Sequence, residues 1–156
     1  MSGTRKKKIL LVEDTTVELA NNGQELKEAG FEVISAGTTS KANASVDKHN
    51  GQFDCVIVDL NMNNRHIDDK DLAKLTHGGS LTGWIWLFFE ARERINAREI
   101  IIYSEFITEL EDYLLSATTD EKIYFKQVKS IPKTRAVNNS LYLVQEVEKL
   151  IGKGKK

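Results

Sequence analysis

This chain of 156 residues contains a single cysteine and a single proline, carries a net charge of only −1, and has no long hydrophobic run. One cysteine cannot close an internal disulfide, and Cys55, inside the apolar run Cys55–Val58, reads as a small buried hydrophobe. The longest apolar stretch, WIWLFF at 84–89, is far too short to cross a bilayer, so no membrane association is expected. The start, MSGTRKKKILLVED, holds only four consecutive apolar residues before Glu13 and lacks the apolar region of a secretory signal, so a cytoplasmic location is expected. With one proline there is no proline-rich linker, and neither an internal repeat nor a low-complexity segment stands between the basic ends. Those ends, Arg5–Lys8 and the closing GKGKK, are not joined by a basic face or a reading motif, so nucleic acid is not an expected partner. The length suits one domain, expected over 7–151, with 1–6 and 152–156 as basic flexible termini.

What is present alternates between two periodicities. KILLV at 8–12 is a short continuous apolar run, the pattern of a strand buried on both faces of a parallel sheet. Helical spacing over 15–29 ends at Gly30, FEVISA at 31–36 gives a second strand, and 38–49 gives a weak, polar helix. Cys55–Val58 is the third strand, followed by an irregular polar segment in which DDKDLAKL could form a short helix. GWIWLFFEARERI at 83–95 reads as a helix, EIIIYS at 99–104 as a fourth strand and TELEDYLLSA at 108–117 as a further helix. Residues 122–133 fit helix and strand about equally, and Ser140–Ile151 closes as an amphipathic helix. Alternating strands and helices imply a three-layer α/β domain, a parallel sheet covered on both faces by right-handed crossovers.

In such a sheet all strands end on one edge, and ligands bind there. The first strand ends in Glu13 and Asp14, the third in Asp59 and the fourth in Ser104. Crowded carboxylates repel one another unless a cation compensates, and oxygen donors suit a hard ion such as Mg²⁺. A carboxylate beside bound Mg²⁺ can accept a phosphoryl group, because that transfer depends mostly on positioning and charge neutralisation. Taken singly, each residue has a plainer reading: Glu13 and Asp14 as acids at a helix start, Asp59 as a loop cap, Ser104 as a helix cap. Their arrival at one edge favours the joint reading.

In the motifs VED after the first strand, FDCVIVDLNM around Asp59 and IIIYS ending in Ser104, the chain resembles the receiver domain of two-component response regulators over nearly its whole length. The resemblance implies a doubly wound, flavodoxin-like sheet of five parallel strands. It implies that Asp59 is the phosphoacceptor, that Glu13, Asp14, Asp59 and the backbone carbonyl of Asn61 bind Mg²⁺, and that Ser104 hydrogen-bonds the phosphoryl group. It implies as partners a histidine kinase or histidine phosphotransfer protein and a downstream protein target. The family also places a lysine, typically followed by proline, at the end of the fifth strand. No Lys–Pro occurs here, and two lysines remain open: Lys133, in SIPKT, is preferred, and Lys126 is the alternative.

Four further features depart from the family. Gly83, which matches the glycine that opens the third helix, lies 24 positions after Asp59, so an insertion is expected over about 63–80, as a lid, a partner-contact surface or a tolerated surface loop. His66 and His77 with Asp68, Asp69 and Asp71 lack ligand spacing and read as solvated loop residues. Glu105 follows Ser104 where a small residue is usual, and the aromatic usual three residues before the lysine is replaced by Ile123 or Ser130, with Tyr124 only nearby. GWIWLFF is apolar around more of its circumference than a surface helix needs, which fits extra core or, less well, a homodimer or kinase-docking face. The function expected is phosphotransfer signalling rather than metabolic catalysis, with no room for an output domain. The rivals are a non-phosphorylated pseudo-receiver that serves as an interaction scaffold, and a Mg²⁺-dependent phosphohydrolase. Asn61 argues against the latter, since it stands where a second acid is wanted.

Overall fold

The computed structural model describes residues 5–133 and 139–155. Its elements follow in the order β1 (Lys8–Val12), α1 (Thr16–Glu28), β2 (Glu32–Ala36), α2 (Thr39–Lys48), β3 (Gln52–Val58), α3 (Lys70–Leu75), α4 (Thr82–Ile85), β4 (Asn96–Ser104), α5 (Ile107–Leu114), α6 (Thr119–Gln127), β5 (Lys129–Pro132) and α7 (Asn139–Ile151). The five strands form one parallel sheet in the order β2-β1-β3-β4-β5. This is the doubly wound, flavodoxin-like α/β architecture.

The apolar runs are continuous because each strand supplies two half-cores in alternation. Ile9, Leu11, Cys55, Ile57, Ile101 and Tyr103 face α1 and α7, where Leu26, Leu143 and Val147 meet them. Leu10, Val12, Val56, Val58 and Ile102 face the other way, toward α2, α4 and α5. The register pairs Val12 with Val58, Val58 with Ile102 and Ser104 with Pro132, so four strands end side by side.

The chain from Trp84 to Phe88 is buried throughout, so most of GWIWLFF is core, and within it only Phe89 is substantially exposed. Its helix differs from the expected regular one: α4 runs into a π-helical stretch, Trp86–Ala91, and ends before Ile95. The Arg92 amide donates to the Leu87 carbonyl at 2.7 Å, an i to i−5 bond that widens the turn, and Trp86 is anchored by its indole N–H on Asn43 Oδ1 at 2.8 Å.

The insertion is a compact excursion. The Met62 amide donates to the Gly79 carbonyl at 3.1 Å, so its two ends lie together, and the loop-closure cost is small. The positive φ of Gly79 (112°) allows the chain to return at that point, and an added Cβ would press on the Met62 carbonyl. Asp69 caps α3 by accepting from the amides of Asp71 and Leu72, while Ile67 and Thr76 are buried against the core. His66 and His77 are exposed.

At the C-terminal end the chain makes backbone contacts with the rest of the domain. The Lys155 amide donates to the Gly30 carbonyl at 3.0 Å, and Lys7 Nζ donates to the carbonyls of Ile151 and Lys153 at 2.7 and 3.2 Å, so 152–155 lies against the turn after α1. Residues 1–4, 134–138 and 156 fall outside the described residues. Among the described residues no helix is long and apolar enough to cross a membrane.

Candidate functional site

The sheet's ladder runs one residue past β1, β3 and β5, and this fixes the backbone at the edge. The Glu13 amide donates to Ala36, the Asp59 amide to Val12 and the Lys133 amide to Ser104, each at 2.9–3.0 Å. Side chains from the ends of β1, β3 and β5 therefore converge. Lys133 Nζ donates to Asp59 Oδ2 at 3.0 Å and to Glu13 Oε1, and it lies 3.2 Å from Glu18 Oε1. Lys133, Glu13 and Asp59 are almost fully buried, whereas the Glu18 side chain is 37% exposed.

The charges do not balance. Three carboxylates meet one ammonium, and the deficit falls on Glu13: burial first, and then the charge of Asp59, push its carboxyl well above the usual carboxylate range against the pull of Lys133. Burial alone would lower Lys133, but Asp59 and Glu13 outweigh it and hold the ammonium charged. The Lys133 ammonium also lies 5.5 Å above the ring of buried Tyr103.

The structure separates the expected metal ligands. Carboxylate oxygens of Glu13, Glu18 and Asp59 lie within 4.8 Å of one another, and Asp14 is not in that set. Asp14 Oδ2 instead accepts from the amide of Asn63, at the start of the insertion, at 2.8 Å. Glu18 was not singled out in the sequence, although it is the acid in the first turn of the helix that leaves the β1 edge, and that position carries the signal. Asn61 is exposed, and its amide lies 3.4 Å from Asp59 Oδ1. With Glu18, Asp59, Glu105, Phe106 and Lys133 it borders a cavity of about 80 Å³.

Ser104 is fully buried, and its Oγ accepts from the Phe106 amide at 3.1 Å, which leaves the hydroxyl hydrogen for donation. Phe106 immediately precedes α5, so this hydroxyl is tied to the start of that helix. Gly83 packs its α-carbon against the site: a Cβ there would run into the Asp59 carbonyl and come within 2.9 Å of Val58 Cγ1.

The structure places the alternative lysine, Lys126, away from this edge. It lies exposed on α6 in a groove with Leu114, Leu115 and Phe125, because a capping box between Thr118 and Glu121 starts a helix that runs to Gln127 and β5 begins only at Lys129. Two helices, α5 and α6, fill the interval between Ser104 and Lys133. Tyr124 packs on Trp84 and Phe88 instead of at the site, and Ser130 occupies the position three before Lys133.

No protein-family model matches the sequence, and no curated protein matches it either. Solved structures do match across nearly the whole chain. A CheY-like response regulator receiver domain protein from Methanospirillum hungatei JF-1 is 20% identical, with 94% of each chain covered and a TM-score of 0.52. The signal receiver domain of a putative Luxo repressor protein from Vibrio parahaemolyticus is 15% identical over 94% of this chain and 91% of its own, with a TM-score of 0.60. The chain has the receiver fold. A third structure with this fold, the response regulator protein TrrA from Thermotoga maritima in complex with Mg²⁺-BeF, is 20% identical over 92% of this chain and 98% of its own, with a TM-score of 0.53. On this receiver fold the acid cluster, the buried lysine and the buried serine stand at the carboxyl edge of the sheet.

Proposed function

We propose that this chain, over 7–151, is a cytoplasmic receiver module of two-component signalling that accepts a phosphoryl group on Asp59 from a histidine kinase or histidine phosphotransfer protein. The observation that carries the reading is Lys133 Nζ held between Asp59 and Glu13 at the sheet edge. In the transfer, an oxygen of Asp59 forms a bond to phosphorus as the phosphorus–nitrogen bond of the donor breaks, and that electron pair leaves with the imidazole. Lys133 then pairs with a phosphoryl oxygen instead of the carboxylate it neutralised. The free hydroxyl hydrogen of Ser104 is available to a second oxygen, at the cost of reorganising its bond with Phe106.

The donor set fits a hard divalent ion: oxygens only, three acids within 4.8 Å, and a single ammonium against their three carboxylates. Glu13, Asp59, the Asn61 carbonyl and either Glu18 or a reoriented Asp14 would hold Mg²⁺, as the family's use of Mg²⁺ and the Mg²⁺-BeF complex of TrrA support. When bound, the ion supplies positive charge to the transferring oxygens. Output is a change in protein contacts through the Ser104–Phe106 connection to α5, so the module signals rather than catalyses metabolism.

One observation favours the pseudo-receiver reading: Asp14 is engaged by the Asn63 amide, beside a cavity of only about 80 Å³. Intact-mass measurement after incubation with a small phosphodonor separates the two. A Mg²⁺-dependent gain of one phosphoryl group, absent in Asp59→Asn, supports the phosphoacceptor, and no gain with any donor supports the scaffold.

A further inference from the structure

A groove lies away from Asp59, on the face built by the insertion and α5. It encloses about 630 Å³ between Leu75 and His77 of the insertion, Phe89 of the π-helical stretch, and Glu109, Asp112 and Tyr113 of α5, with Glu121 in its wall. Its chemistry is one-sided. Three carboxylates line it and no lysine or arginine does. The bias extends along the chain, for the segment from Glu105 to Glu121 contains six acids and no basic residue.

Glu121 is buried, and the bonds it accepts come from neutral donors: the Trp84 indole at 2.9 Å, the Tyr113 hydroxyl at 2.6 Å and Thr118. Among the described residues no cation pairs with it within 4 Å. Burial, reinforced by the bond to Glu121, holds Tyr113 above its usual value, so it stays a neutral donor. The remaining walls are apolar or aromatic. Leu75 and Phe89 are among the few large apolar side chains left exposed, and the His77 ring stands edge-on to Tyr113 at 6.0 Å.

An occupant of this groove must bring positive charge to the exposed Glu109 and Asp112 and apolar surface to Leu75 and Phe89. A planar guanidinium meets both demands, since it pairs with carboxylates and lies on aromatic faces, and it is less strongly hydrated than an ammonium. We propose that this groove docks a protein partner that presents an arginine side chain flanked by apolar residues. The proposal is independent of phosphorylation at Asp59. It makes the insertion, through Leu75 and His77, one wall of a partner site.

The test uses the full chain and two capped tripeptides, acetyl-Leu-Arg-Leu-amide and the same peptide with citrulline, a neutral isostere of arginine. Binding is followed by amide chemical shifts. Saturable shifts confined to residues lining the groove, with the arginine peptide at least about fivefold tighter, are expected from surface ion pairs of ordinary strength. The double variant Glu109→Gln/Asp112→Asn, both exposed and outside the core, is expected to weaken the arginine peptide about fivefold and leave the citrulline peptide unchanged. Equal affinity for the two peptides, shifts scattered over other acidic surfaces, or an unaffected double variant would each overturn the proposal.

Discussion

Lys133 carries the largest single burden in the site, since it is the ammonium set among Glu13, Asp59 and Glu18. Replacing it with methionine keeps the volume and leaves two buried carboxylates facing each other. Breaking a buried pair in this way costs about 3–5 kcal/mol. Lys133→Met is therefore expected to lower the stability read by urea denaturation at neutral pH, and, under the proposed Mg²⁺ site, part of the loss is recovered in Mg²⁺, since a ligand held only by the folded state stabilises it. A variant as stable as the parent would mean that the carboxylates do not need the ammonium. Gly83 makes a different demand, for space. Gly83→Ala pushes a methyl group into the Asp59 carbonyl and Val58, and overpacking of this kind costs about 1–3 kcal/mol. The same denaturation measurement checks it, and no change in midpoint would show that the helix start yields freely.

At the scale of elements, the sequence located the strands well because burial on both faces leaves continuous apolar runs, as in KILLV and IIIYS. It failed where two periodicities overlap. IYFKQVKSIPK offers a strand-like IYF as well as SIP, and only the capping box of Thr118 and Glu121 decides that the first is helix and that Lys133, not Lys126, ends a strand. The π turn in the aromatic helix left no mark in the sequence, and the bond from Trp86 to Asn43 joins residues far apart in the chain. The pairing of Asp14 with Asn63 was equally invisible, since it depends on where the insertion returns. At the opposite edge, Asp54 on β3 ties down the start of β1. It accepts from the Lys8 amide at 2.7 Å and from both terminal nitrogens of Arg5 at 3.0 and 3.1 Å. Burial alone would raise its carboxyl, but these donors outweigh it and hold the value below normal. A lowered folded value means that the contribution to stability is fully present above about pH 4, the ordinary carboxylate value, and is lost as pH falls through the folded one. Asp54→Asn is thus expected to destabilise by about 1–2 kcal/mol at pH 7, Arg5 being too exposed to add much, with the gap to the parent closing in acid. A gap that stays constant with pH would assign the effect to shape rather than charge.

The whole molecule joins a receiver fold to two additions, the 63–80 excursion and α6, and both border the acidic groove. The fold was legible because its chemistry sits at strand ends, where an apolar run followed by an acid or a hydroxyl can be read directly. The additions were legible only as extra length, because their packing rests on contacts distant in sequence, such as Trp84 with Glu121. The central claim, that Asp59 is the group this edge is built to present, is tested most directly by fluorine NMR with beryllofluoride, a mimic of the phosphoryl group. Bound fluoride resonances that require Mg²⁺ and vanish in Asp59→Asn are expected. Resonances of free beryllofluoride alone, with the protein folded and Mg²⁺ in excess, would contradict it.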